Sequence, residues 1–93
     1  MAVMIEVERI REGEFRVVVR EGAGETSHVV SLEDHYCRKL TGGKSEAEEL
    51  VRKSFEFLLE REPKESILRQ FSLPVIGRYF PEYEREIKKR LGG

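Results

Sequence analysis

Two segments near the start of the chain alternate apolar and polar residues with a period of two. The apolar positions of these segments are Val3, Ile5, Val7, Phe15, Val17 and Val19. Alternation of this kind is typical of antiparallel strands that bury one face and expose the other. Gly13 lies between the two segments and predicts a hairpin turn.

A third strand is predicted after the glycine turn at residues 22–24. It extends over about 26–32, with Val30 and Leu32 directed at the interior. The three strands together predict an antiparallel meander over about 3–32. A sheet this small needs a helical cover to be stable, so helices are expected to follow.

Helical periodicity begins after the strands. Residues 33–40 predict a short helix with Tyr36 and Leu40 on one face, and a longer helix is predicted over about 44–62, where Ser45 and Glu48 match a capping box. The apolar positions of the longer helix are Ala47, Leu50, Val51, Phe55, Phe57, Leu58 and Leu59. They cover a wide arc of the helix, which implies contact with the sheet and with the C-terminal helices.

Prolines divide the rest of the chain into three predicted helical pieces, at about 64–71, 73–80 and 81–91. The last piece carries one apolar stripe: Phe80, Tyr83, Ile87 and Leu91. The sequence therefore predicts a single α+β domain over 1–93, in which a three-stranded antiparallel meander is packed by a long central helix and short C-terminal helices.

Composition limits the classes of partner. The 93 residues include 17 basic and 18 acidic side chains, a net charge of −1. Overall charge therefore favours neither nucleic acid nor a membrane surface. The basic residues near the C-terminus lie at the end of a predicted helix, where they stabilise the helix dipole.

The cysteine content and the apolar runs indicate a compartment. Cys37 is the only cysteine, so it cannot form an internal disulfide. The first ten residues lack the pattern of a secretory signal, and no apolar run approaches the roughly 20 residues that span a bilayer. We expect a cytoplasmic protein without membrane contact.

Few residues suggest chemistry. His28, His35 and Cys37 could form a metal site or a thiolate pair, but structural zinc requires four ligands with paired spacings, and a helix would direct residues 35 and 37 apart. The Gly-Lys-Ser at 43–45 lacks the remainder of a phosphate-binding loop. We therefore expect no enzyme, metal or cofactor, with exposed histidines and a buried cysteine.

Residues 27–60 read as a strand, a short helix, a turn and a longer helix that opens with Ser-Glu-Ala-Glu-Glu-Leu-Val-Arg. This order resembles ribbon-helix-helix DNA-binding proteins. The resemblance implies a dimeric regulator in which strands of two subunits pair and enter the major groove.

The second half carries another resemblance. Residues 57–68, Phe-Leu-Leu-Glu-Arg-Glu-Pro-Lys-Glu-Ser-Ile-Leu, and residues 78–84, Arg-Tyr-Phe-Pro-Glu-Tyr-Glu, are similar to short bacterial proteins of unknown function. This likeness implies no activity.

Aromatic residues concentrate near the C-terminus, at Phe71, Tyr79, Phe80 and Tyr83. They could complete the core or form a binding patch, because tyrosine and phenylalanine are enriched at the centres of interfaces. The leading hypothesis is a non-enzymatic protein-interaction module that binds another protein or a second copy through Tyr79, Phe80 and Tyr83. The alternative is the ribbon-helix-helix regulator.

Overall fold

The structure is a computed structural model that describes residues 2–92. Its elements are, in chain order, β1 (Val3–Arg11), β2 (Glu14–Glu21), β3 (Gly24–Ser31), α1 (Asp34–Thr41), α2 (Ala47–Leu59), a 3₁₀ turn (Lys64–Ser66), β4 (Gln70–Ser72), α3 (Val75–Tyr79) and α4 (Tyr83–Arg90). The predicted α+β class is confirmed.

The first three strands form the predicted antiparallel meander. Val7 lies opposite Val17, and Val17 lies opposite His28. Gly13 has a φ of 78°, a left-handed conformation that suits glycine in the turn between β1 and β2. The alternation buries one face of the sheet, including Val19 and Val30, and each such side chain contributes roughly 1.5–3 kcal/mol of transfer free energy.

The sheet contains a fourth strand that the sequence did not predict. Its order is β1-β2-β3-β4, and β4 pairs with β3 in parallel, with Phe71 opposite Val30. The predicted helix over 64–71 is therefore wrong apart from the 3₁₀ turn, and the predicted three-stranded meander is extended by a parallel strand. The physical reason is that β3 offers backbone groups along its second edge. The Val29 N–H donates to the Arg69 carbonyl at 2.8 Å, and these long-range bonds outweigh the weak helical preference of a short segment.

Helix α2 covers the buried face of the sheet as its wide apolar arc predicts. Its buried residues are Leu50, Val51, Ser54, Phe55, Phe57 and Leu58. It packs on β1 and also contacts α1 and α4. The helix is shorter than the predicted 44–62, and the predicted capping box is wrong. Glu46, and not Ser45, is the N-cap, and it makes no side-chain capping bond. Two left-handed glycines, Gly42 and Gly43, connect α1 to the residues that precede α2.

Helix α4 closes the core on the side away from the sheet. Tyr83 and Ile87 are buried, and Phe80 and Leu91 pack partly buried against the same cluster, as the predicted stripe requires. Its first turn is acidic and its last turn is basic, which suits the helix dipole. Among residues 2–92, no helix is both long enough and apolar enough to cross a bilayer.

Candidate functional site

His28 is buried in β3, so the prediction that it is exposed is wrong. Its Nδ1 lies 2.8 Å from the Leu68 carbonyl oxygen, and its Nε2 lies 2.9 Å from Thr26 Oγ1. The carbonyl can only accept, so Nδ1 carries the proton and Nε2 accepts from the threonine hydroxyl. Burial lowers the pKa of His28. The ring is therefore a neutral structural link between β3 and the segment that leads into β4.

His35 and Cys37 do not join His28. His35 is exposed on α1, whereas Cys37 is buried as predicted, and burial raises the pKa of its thiol. A raised pKa keeps the thiol protonated, the form that is the poorer nucleophile. Across the described part of the chain, no group of three or more histidine, cysteine, aspartate or glutamate side chains could hold a metal ion.

The structure separates the three aromatic residues of the predicted binding surface. Tyr83 is completely buried, which corrects its place in that surface. Its hydroxyl lies 2.6 Å from Ser54 Oγ, and Ser54 Oγ in turn donates to the Leu50 carbonyl at 2.7 Å. Because that bond uses the serine hydrogen, Tyr83 donates to Ser54. Its ring packs edge-on against Phe57 at 5.3 Å, so Tyr83 belongs to the core.

Tyr79 and Phe80 remain at the surface. Tyr79 ends α3 and is 67% exposed. Phe80 is half-buried, with its ring edge-on to Phe57 at a centroid distance of 5.9 Å. Both residues line one groove.

That groove, here called the β4 groove, lies where the end of α2, the 3₁₀ turn, β4 and α3 meet. Its volume is about 200 Å³, and its lining residues are Leu58, Glu62, Ser66, Ile67, Leu68, Phe71, Ile76, Tyr79 and Phe80. Leu68 is 48% exposed and, with Tyr79, leaves a large apolar side chain open to solvent. Exposed apolar residues grouped around a concave surface are typical of a binding site.

Among the described residues, Glu62 is the one charged side chain in the lining of the β4 groove. Desolvation by the surrounding residues raises the pKa of its carboxyl group. The carboxylate makes no hydrogen bond or ion pair to any other residue within 2–92. Its neighbour Arg61 instead donates to Glu82 at 3.2 Å and lies over the Phe57 ring at 3.6 Å.

The β4 groove borders a free edge of the sheet. Arg69 and Leu73, on either side of β4, direct backbone groups at β3. In a parallel ladder, alternate residues face the same neighbour, so the backbone groups of Gln70 and Ser72 are directed at the open edge. These groups are able to pair with an added strand.

Other depressions in the surface are more polar. One of them, of about 650 Å³, lies between the β1–β2 turn and α1. Arg9 in its wall is already paired with Glu48 at 3.3 Å. A smaller fraction of its lining is therefore apolar than in the β4 groove, and the charge of Arg9 already has a partner.

Sequence analysis placed Tyr79 and Phe80 in the binding surface and named Phe71 only as one of the aromatic residues near the C-terminus, and it did not name Glu62 or Leu68. Glu62 precedes a proline among other charged residues and has no local pattern that separates it from a solvated helix end. Leu68 and Phe71 fall in the segment that was predicted as helix. Only the fold brings these residues together.

Comparison of the chain with known proteins finds no matching family model, no matching curated protein and no matching solved structure.

Proposed function

We propose that this protein is a non-enzymatic protein-interaction module that binds a partner through the β4 groove. The observation that carries the proposal is the pair of exposed apolar side chains, Leu68 and Tyr79, at the mouth of an apolar groove. Exposed apolar side chains that are grouped around a concave surface, rather than scattered singly, are typical of an interaction site.

The size of the groove favours a protein partner over a cofactor. Its volume of about 200 Å³ is below the roughly 300–1,000 Å³ of small-molecule sites. It suits a single large side chain from a peptide segment, and the free edge of β4 offers backbone groups to the same segment.

The absence of enzymatic activity is part of the proposal. Within residues 2–92, every buried side-chain nitrogen and oxygen has a hydrogen-bond partner. Three of the groups with a displaced pKa lie in separate places: His28 in β3, Cys37 on α1 and Glu62 in the β4 groove. This arrangement supports binding rather than acid–base chemistry.

The ribbon-helix-helix alternative requires a strand that can pair with a second subunit. β3, which would be that strand, lies between β2 and β4 and pairs with both. Its outward residues Ser27, Val29 and Ser31 carry no charge, whereas base readers are commonly arginine, lysine or glutamine. These features favour the interaction module. Dimerisation together with salt-sensitive binding to duplex DNA would instead favour the regulator.

The proposal is tested by selecting binders from a random peptide library and mapping them by NMR chemical-shift perturbation. We expect the shifts to cluster at the β4 groove. Tyr79→Ala and Leu68→Ala should each weaken binding by about tenfold, the loss typical of a residue at the centre of an interface.

Met4→Ala is the matched control, because Met4 is 56% exposed but lies on the opposite edge of the sheet. It should leave affinity unchanged. All three substitutions should change the free energy of unfolding by no more than about 0.5 kcal/mol, as expected of surface positions. Selected peptides that bind elsewhere, or whose affinity ignores Tyr79 and Leu68, would refute the proposal.

A further inference from the structure

We infer that the partner segment carries a lysine or arginine beside its apolar anchor, and that this cation pairs with Glu62 in the wall of the β4 groove. The inference rests on the proposed function and specifies the chemistry of the occupant. Three observations lead to it.

The first observation is the contrast between Glu62 and the carboxylates around it. Glu60 accepts from Arg90 Nη1 at 2.8 Å, Glu65 pairs with Lys64 at 2.9 Å, and Glu82 accepts from Arg61 at 3.2 Å. Glu62 pairs with no cation among residues 2–92. In a region where neighbouring carboxylates are each matched, one is left without a counter-ion.

The second observation is where this carboxylate lies. It is half-buried in a wall that is otherwise mostly apolar, and desolvation disfavours its charged form. A cation brought beside it would offset that cost, and a peptide that covers the groove would further exclude water and strengthen the attraction.

The third observation is that the two cations nearest to Glu62 in the sequence, Arg61 and Lys64, are engaged elsewhere. Arg61 is held by Glu82 and by the face of Phe57. Lys64, whose side chain is only 8% exposed, is held by Glu21 and Glu65. Arg69 and Arg78, which lie beside Leu68 and Tyr79, also make no ion pair with Glu62 within residues 2–92, so an occupant of the groove can supply the counter-ion.

A second copy of the chain is a poor source of this segment. Besides the groove residues themselves, the exposed large apolar side chains of the described residues are Val3 and Met4. The nearest charged side chain that follows them is Glu6, which is acidic. Leu68 and Tyr79 do lie beside Arg69 and Arg78, but in a second copy these residues would have to form the groove wall and fill the partner's groove at once, so we assign the occupant to a separate segment.

The test uses the peptides selected on the full chain. We expect the enriched sequences to share a large apolar residue with lysine or arginine within about two positions. Glu62→Gln should weaken such a peptide about fivefold, and replacing the basic residue of the peptide by glutamine should do the same. The two changes together should weaken it by no more than either alone, because both remove one interaction.

Glu12→Gln is the matched control, since it removes the same charge from an exposed glutamate in the β1–β2 turn. It should not alter affinity. Added salt should weaken the wild-type complex and have much less effect on the Glu62→Gln complex.

Each outcome separates the two proposals. Peptides that need Tyr79 but lack a basic residue and ignore Glu62→Gln would overturn this inference and leave the proposed function standing. A library that yields no peptide dependent on Tyr79 or Leu68 would overturn both. A dimer that forms through the groove, detected by sedimentation velocity, would overturn the assignment of a partner segment. Phenethylamine carries an aromatic ring and an ammonium group without a peptide backbone, and if it bound as tightly as the peptides it would overturn the same assignment.

Discussion

The two edges of the sheet differ in length and in the side chains that lie beside their unpaired backbone groups. β1 is nine residues long, and the Arg52 guanidinium donates to the Ile5 carbonyl on its open side. β4 is three residues long, carries no charged side chain and borders the apolar β4 groove. Natural sheets protect long edges with charged side chains because an open edge invites pairing with other chains.

This difference shows where binding should be sought. The long edge has more backbone groups that could pair with another strand, but Arg52 of α2 already donates a hydrogen bond to one of them. The short edge has little capacity for backbone pairing alone, so its specificity must come from side chains in the adjacent groove. A partner that adds to β4 would use both.

The largest expected effect concerns the anchor of β4. Leu73 is completely buried directly after this strand, and its N–H donates to the Ser31 carbonyl at 2.9 Å. Leu73→Ala should lower the free energy of unfolding by about 3 kcal/mol, because it leaves a cavity beneath the short edge. Urea denaturation measures the loss.

Hydrogen exchange should show that Leu73→Ala reduces the protection of backbone amides at residues 70–72 more than in β1. Val3→Ala, at the exposed start of the long edge, is the control and should cost less than about 0.5 kcal/mol. If Val3→Ala proved as costly as Leu73→Ala, the two edges would not differ as proposed.

An intermediate effect concerns pH. The pKa of His28 is lowered in the folded protein, so the unfolded chain binds a proton first, near pH 6.5, as the pH falls. The contribution of His28 to stability is thus complete above about pH 6.5 and declines below it. Between pH 7.5 and 5.5 the loss should reach at most about 1.4 kcal/mol.

Urea titrations at the two pH values measure this loss, and His28→Gln should remove most of it. Carboxyl groups with a lowered pKa, such as Glu60 and Glu84, lose their contribution at lower pH, below about 4.5, so they do not obscure the comparison. A wild-type protein equally stable at pH 5.5 and 7.5 would contradict the role of His28.

The smallest expected effect concerns Arg52, which donates to the Ile5 carbonyl at the long edge. Arg52→Ala should cost about 1 kcal/mol by removing the bond to the Ile5 carbonyl, and it should increase self-association through β1. Sedimentation velocity over a range of concentrations measures the association. Lys53→Ala is the control, because Lys53 faces Glu49 and Glu56 on the same helix instead. Equal association of the two variants would show that Arg52 does not protect the edge.

The sequence predicted the parts of the fold that repeat a period several times. The alternation in β1 and β2 and the apolar arc of α2 each extend over enough residues to identify an element. The same alternation, applied consistently, would also have placed His28 inward, between Thr26 and Val30, where the structure has it. A histidine is often exposed, but the position of His28 in the alternating pattern places its side chain on the buried face of the sheet.

The remainder depends on contacts between distant residues. Three residues of β4 cannot display a period, and their conformation is set by β3. Tyr79 and Tyr83 lie four apart, which would place them on one face of a continuous helix, but α3 ends at Tyr79 and α4 begins at Tyr83. The break leaves one ring in solvent and the other in the core, and the same long-range geometry gathers Glu62 and Leu68 into the site.

The parallel pairing of β3 with β4 also determines when the groove comes into existence. Ser31 and Ser72, opposed in this ladder, are 41 positions apart, whereas the hairpins of the meander join near neighbours. Closing so long a loop costs more chain entropy, so we expect β4 to dock after the meander and α2 have assembled. A nascent or partly opened chain would then lack the groove, and recognition would be confined to molecules that have finished folding.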